Sequence, residues 1–315
     1  MMLHIVAHID VDGIACHAIA EMWAKKSEII TKHYFVDYQD IGIVLRLLSE
    51  IVKSEDEVII ADIGYSKDLI DLFLGQCGKL APIVSWFDHH RWEEEARDKM
   101  SLSIKKLIIN EGLCASEIVQ EELLPESETA RNLASFARAH DFNGEGCDQD
   151  IFYHACKIQD VITSGYPKQA IVKKLSEGIL WDHDFNIAYM QYQEVRSEAM
   201  LSMDNTIKRF FVSVDSIDII IVTAFASDNL EAKYAKRYLF ERNQCDVVIV
   251  VCPNGRMAQE VRSNKFMIVL ERINKFFKGG GRGLVGGGTY YEAVNEENCS
   301  QCFMEIVRVI TDDRD

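Results

Sequence analysis

With 315 residues, 48% of them hydrophobic, the chain exceeds the roughly 100–200 residues usual for one domain, so two domains with real cores are expected. Its formal charge of −16 argues against a protein that coats long duplex nucleic acid, whose affinity rests on a large basic surface. No apolar run reaches the ~20 residues of a membrane span. Nine cysteines, with no secretory leader ahead of the strand that begins at Leu3, fit a reducing interior, and a soluble cytoplasmic protein is expected.

Short apolar runs alternate with amphipathic segments in the first part. Strands are predicted over Leu3–Ala7, Thr31–Val36, Glu57–Ala61, Ala81–Phe87 and Ser103–Ile109, and helices over Ile14–Lys25, Ile41–Val52 and Lys67–Gln76. Fully apolar strands in alternation with helices imply a parallel sheet covered on both faces. From Cys114 the pattern turns helical, with segments at Cys114–Leu124, Glu128–His140, Asp150–Ser164, Pro167–Glu177 and Phe185–Met203, the last polar enough to bridge two domains. A second α/β pattern starts near Arg209. It has strands at Phe210–Val214, Ile217–Thr223 and Asp246–Val251, and a helix at Asn229–Arg242. The Cys252-Pro-Asn-Gly255 turn leads to a hairpin partner at Met257–Val261. Helices at Phe266–Phe276 and Cys299–Ile310 flank a glycine loop at Gly279–Gly288. The expected fold class is therefore α/β: an N-terminal parallel-sheet domain with a helical extension (1–184), a linker helix (185–208), and a smaller C-terminal α/β mixed-sheet domain (209–315).

Polar ligands gather at the ends of the predicted strands. The first strand runs into His8-Ile-Asp10-Val-Asp12-Gly13, three potential ligands at alternate positions where open α/β sheets bind. A helix cap accounts for one carboxylate, not for three ligands. A calcium loop does not fit, because His8 takes the first ligand position and Ile19 the place of the bidentate Glu. The third strand ends in Asp62, the fourth in Asp88-His89-His90, and His140-Asp141 closes a helix downstream. His8, Asp10, Asp12, Asp62, His89 and Asp141 together offer oxygen and imidazole with no thiolate. That set favours Mn, Mg or Fe over structural zinc and is large enough for two ions.

In the second domain, Arg262-Ser263 precedes a run from Gly279 to Gly288 that holds seven glycines. So many glycines are costly to order unless backbone approaches something closely, and backbone N–H groups around a phosphate are the natural candidate. Between Arg256 and Gly283 the local charge is +5, against −16 overall. Gly281, Gly283 and Gly286 also satisfy G-x-G-x-x-G, but a helix precedes them instead of the strand a dinucleotide fold needs.

The order His8-x-Asp10-x-Asp12-Gly13, Asp62, Asp88-His89-His90, Asp141 resembles the signature motifs of the DHH phosphoesterase superfamily. Arg262-Ser263 with the glycine run resembles its DHH-associated substrate-binding domain. The compact first motif is closer to the RecJ branch, with His8 in place of the first aspartate, than to the nano-RNase branch, which has aspartates four and six residues after the histidine. Arg282 stands where the associated domain usually has a histidine; a guanidinium grips phosphate but donates no proton. The resemblance implies a metal-dependent hydrolase with its active site between two domains. Two Mn2+ ions, with Mg2+ as the alternative, are expected about 3.5–4 Å apart and activating water. His8, Asp10, Asp12, Asp62, His89 and Asp141 would hold them, Asp62 bridging; which of Asp10 and Asp12 meets which ion stays open. His90 is expected to stabilise charge or protonate the leaving oxygen, with Asp88 orienting it. Arg262, Ser263, Gly280, Gly281, Arg282 and Gly283 would bind substrate phosphate.

The acidic surface favours short oligonucleotides or small nucleotides as substrates, with no long duplex and no membrane as partner; a homodimer is compatible. A RecJ-like single-strand exonuclease, a pyrophosphatase or polyphosphatase, and a catalytically silent nucleotide-binding protein are the alternatives. Other candidates have structural explanations. Trp181-Asp182-His183-Asp184 opens a helix as a cap, and His4, His17, His33 and His154 sit within strands and helices. Cys299-Ser-Gln-Cys302 has no second pair for zinc, and Cys302 falls on an apolar helix face.

Overall fold

A computed structural model describes residues 1–227, 230 and 232–312, apart from the side chains at 233 and 282. The chain divides into two compact units, Met1–Tyr192 and Gln193–Asp315, and the division falls within one long helix, α9 (His183–Asp204).

Unit 1 is built on β1 (Met2–His8), β2 (Ile30–Val36), β3 (Glu57–Ala61), β4 (Val84–Asp88) and β5 (Lys106–Ile109), all parallel, in the order β2-β1-β3-β4-β5. Strand alternation divides the core in two. Leu3, Ile5 and Ala7 of β1 face one cluster with helix α1 (Val11–Lys26). Val6 faces the other, with α2 (Ile41–Ile51) and α3 (Lys67–Gln76). Helix α1 is buried nearly all round because further helices cover its outer side: α5 (Ala115–Leu123), α6 (Glu128–Asp141), α7 (Gln149–Thr163) and α8 (Lys168–Ser176). Its alanines, Ala15, Ala18 and Ala20, allow that close packing.

Two sequence expectations need correction here. The strand predicted from Ala81 begins only at Val84, because Pro82 sits in a 3-10 turn over Gly78–Ile83. A short helix, α4 (Glu94–Ser101), was not expected; it buries only Ala96 and Met100, and its other residues are mostly charged.

Unit 2 holds a six-stranded sheet in the order β10-β11-β9-β8-β7-β6. The strands are β6 (Lys208–Val214), β7 (Ile217–Phe225), β8 (Val247–Val251), β9 (Arg256–Val261), β10 (Gly280–Arg282) and β11 (Val285–Thr289). Only β7 and β8 pair in parallel, so the sheet is mixed. Fully buried β8 sends Val247, Ile249 and Val251 to a face covered by α11 (Met267–Phe276) and α12 (Cys299–Thr311). Val248 and Val250 go to the face covered by α10 (Ala232–Arg242). Residues 229 and 231 of the helix expected from Asn229 lie outside the described residues. On α12, Cys299 and Cys302 pack inward with Phe303, Ile306 and Ile310.

The glycine run is a hairpin, not a loop. Strand β11 pairs with β9 on one side and β10 on the other, so the ladders engage much of its backbone instead of leaving it free for a ligand. A Cβ on Gly279 would lie 1.9 Å from the Gly287 carbonyl oxygen, so close packing between the two arms itself demands glycine there.

Candidate metal centre

Strands β1 and β3 are neighbours at the point where the strand order reverses, and their carboxyl ends open the crevice in which α/β sheets of this kind bind ligands. His8 is the last residue of β1, and Asp10 caps α1, taking the Gly13 N–H at 3.0 Å. The second Asp10 oxygen lies 2.9 Å from His8 Nδ1. The chain turns so tightly here that a Cβ on Gly13 would fall 2.1 Å from the His8 carbonyl oxygen. Asp12, in the first turn of α1, is buried and accepts the N–H groups of Ala115 (2.7 Å) and Ser116 (2.9 Å) from the start of α5.

Asp62 follows β3 with a left-handed backbone, φ +54°, held by its N–H bond to the Phe87 carbonyl at 3.0 Å. This conformation is uncommon outside glycine, and among other residues Asp and Asn tolerate it best. His89, just past β4, places Nε2 3.4 Å from Asp62 Oδ1 and Nδ1 3.5 Å from Asp141 Oδ2 at the end of α6. The six residues thus sort into two groups whose ligand atoms lie within 4.8 Å of one another: His8, Asp10 and Asp62, and Asp12, His89 and Asp141. The Asp62–His89 contact links them. Asp10 belongs to the first group and Asp12 to the second.

The electrostatics fit a cation. Burial, then repulsion from Asp10 and Asp12, pushes the Asp62 carboxyl well above its usual range. Burial and Asp10 raise Asp12 as well, and burial with Asp12 lifts Asp141 to about 6. Burial acts the same way on Asp10, but His8 overrides it and holds that carboxyl low. A divalent ion would relieve this repulsion. Two atoms in the cluster, Asp62 Oδ2 and His89 Nε2, are buried with no hydrogen-bond partner among the described residues, and such groups are rarely left unmatched unless something else takes them. The donor set, oxygen and imidazole without thiolate, suits Mn2+ or Mg2+.

Beside the cluster, fully buried Asp88 accepts from His90 Nδ1 (2.8 Å) and from Trp92 Nε1 (2.6 Å). Burial alone would lower the His90 pKa, but Asp88 outweighs it and the imidazole titrates above its ordinary value. The other ring nitrogen of His90, Nε2, meets the Tyr38 hydroxyl at 3.2 Å. Tyr38 also packs its ring against His8, with centroids 5.2 Å apart, and neighbouring Asp37 lies 4.0 Å from His8 Nε2. Both come from the loop after β2, a stretch with no motif to mark it in the sequence.

In unit 2, Arg262 follows β9 and donates from Nε to the Cys245 carbonyl at 2.7 Å. Its guanidinium stands 5.3 Å from the Phe240 ring and lines a pocket of about 580 Å³ with Arg242, Asn243 and Gln244. Ser263 opens a 3-10 turn, its carbonyl accepting the Phe266 N–H. Gly280 and Gly281 lie in β10 and Gly283 in the hairpin turn at φ +58°; the Arg282 side chain lies outside the described residues. The remaining candidates have structural partners. Asp182 accepts the Phe185 N–H, and Lys174 pairs with both Asp182 and Asp184. His4 meets Tyr34, His33 meets His17 and Glu21, and exposed His154 bonds to its own helix.

No protein-family model matches the sequence, and a search of the curated proteins found no relative. Solved structures share the fold. RecJ from Thermus thermophilus, in complex with Mn2+, superimposes with a TM-score of 0.63 at 11% identity over 98% of this chain and 51% of that one, so this chain spans about half its length. An exopolyphosphatase-related protein from Bacteroides fragilis gives 0.56 at 13% identity, covering 98% of this chain and 91% of that one. CDC45 from Entamoeba histolytica gives 0.56 at 10%, covering 99% and 95%. The chain therefore shares the α/β fold of these structures, with a parallel sheet followed by a second, mixed one. Among the described residues, no helix is long and apolar enough to cross a membrane.

Proposed function

We propose that the protein is a DHH-superfamily phosphoesterase that hydrolyses phosphate esters of short oligonucleotides or small nucleotides, with Mn2+ as its ion. The observation that carries this is the convergence of His8, Asp10, Asp12, Asp62, His89 and Asp141 into two linked groups, in which Asp62 Oδ2 and His89 Nε2 are buried with no hydrogen-bond partner among the described residues. A pair of divalent ions held there supplies Lewis acidity and a water of lowered pKa.

The chain's own residues do the rest. Asp62 is the link between the groups, and its mutual repulsion with Asp10 and Asp12 favours cation binding. His90 stands beside the cluster, and Asp88 raises its pKa above the ordinary value. Asp88 fixes its ring and would stabilise an imidazolium formed there, which suits His90 to neutralise charge on a leaving oxygen. Arg262, tethered to the Cys245 carbonyl, presents a planar guanidinium suited to phosphate. The net charge of −16 favours small substrates over long strands.

The test is hydrolysis of end-labelled oligonucleotides of increasing length, with and without Mn2+. Inorganic polyphosphate joins the panel on account of the exopolyphosphatase-related neighbour. Turnover is expected to depend on metal, to be greatest on the shortest oligonucleotides, and to vanish in Asp62→Asn. Metal-independent turnover, or full activity in that variant, refutes the proposal.

A further inference from the structure

His90 stands where it could become a metal ligand. Its ring lies within 4.8 Å ligand-atom reach of Asp62 and His89, a third group able to hold an ion. A ligand needs a lone pair. Nδ1 faces the Asp88 carboxylate at 2.8 Å, and an acceptor-only group there requires Nδ1–H. In the neutral ring the one remaining lone pair is on Nε2, and the Tyr38 hydroxyl meets it at 3.2 Å. The Tyr38 ring is itself placed, tilted against His8 at 5.2 Å and edge-on to His90 at 6.2 Å. Tyr38 therefore touches a ligand of one group and the histidine beside the other.

The geometry points to Tyr38 as a positioning residue that occupies the free nitrogen of His90, keeping this histidine out of the ion's ligand shell. This rests on the metal-centre reading above. It explains how adjacent histidines on one loop divide the work. His89 has no hydrogen-bond partner at Nε2 among the described residues, whereas His90 has one at each ring nitrogen.

The test is pulsed paramagnetic resonance on Mn2+-loaded full-length protein carrying 15N-histidine, which counts coordinated imidazoles without reference to turnover, alongside Mn2+ titration. In the wild type, His90→Gln is expected to leave the imidazole count unchanged. In Tyr38→Phe, which keeps the ring and removes only the hydroxyl, the count rises by one and Mn2+ affinity shifts by about tenfold. Adding His90→Gln to Tyr38→Phe returns the count to that of the wild type. A fall in the count for His90→Gln alone overturns the inference, as does a Tyr38→Phe protein with unchanged count and affinity. A wild type showing no imidazole coupling to Mn2+ overturns both this inference and the metal-centre reading.

Discussion

The Asp12 carboxylate and the backbone N–H of Ser116 meet at 2.9 Å although 104 residues separate them in the chain. With the parallel bond from Ala115, this ties the ligand loop of α1 to the start of α5. Asp12→Asn keeps the shape but turns an NH2 group toward one of two buried donors. Without metal, it is expected to lose about 1–3 kcal/mol of stability, the cost of an unmatched buried N–H. Both variants remove a repelled charge, but the Asp62 side chain accepts no backbone N–H among the described residues, so Asp62→Asn, with a side chain that tolerates φ +54°, should behave oppositely. Urea midpoints of the two variants in chelator check the contrast, and alanine at 62 would confuse it by adding backbone strain.

Metal and pH are linked through the same carboxylates. Asp12, Asp62 and Asp141 have folded pKa values above their ordinary ones. Their contribution to stability is thus present at low pH and lost as pH rises through the folded values, about 6 for Asp141. The metal-free protein should therefore lose stability through this cluster between about pH 5 and 7, and Mn2+ should restore most at the upper end. Thermal melts with Mn2+ or chelator at both pH values measure it; an equal Mn2+ effect at both would contradict the expectation.

Buried histidines act in the other direction. Burial lowers the pKa of His4, His17 and His33 below 6.5, so below that pH the unfolded chain binds protons that the native one does not. Stability from these groups is lost as pH falls through 6.5. His17 is fully buried against Phe35, and His17→Phe keeps a ring there. Relative to wild type, its acid slope should be shallower by up to one proton, roughly 1.4 kcal/mol per pH unit. Paired denaturation curves from pH 5 to 7 give that difference directly, with the carboxylate contribution common to both proteins.

For substrate, Arg262→Lys keeps the charge and loses the planar fork and the bond to the Cys245 carbonyl. On the best oligonucleotide from the panel, KM is expected to rise about tenfold with kcat little changed, as for the loss of one charged hydrogen bond made equally in ground and transition states. A fall in kcat at constant KM would move Arg262 from binding to chemistry.

Much of this was legible in the sequence wherever a side-chain pattern repeats. The apolar runs of β1, β3 and β8 and the polar residues at their ends gave both the α/β class and the candidate ligands. What escaped had no such pattern. Helix α4 buries only two side chains, so it carries little periodicity. The hairpin of β10 and β11 is mostly glycine, and its register is set by backbone pairing that no side chain announces. Tyr38 gains its meaning from a histidine 52 residues away, and the division of Asp10 and Asp12 between two groups comes from which way each points out of one turn.

That turn depends on an atom the chain does without. Because the start of α1 folds back onto the last peptide of β1, the spacing between His8 and Asp12 is set by how near Gly13 can come to the His8 carbonyl. A methyl group there would act as a wedge, levering the helix from the strand and drawing the two ligand groups apart. Gly13→Ala should thus leave every donor in the sequence and still spoil their convergence, a metal-binding defect with no ligand replaced.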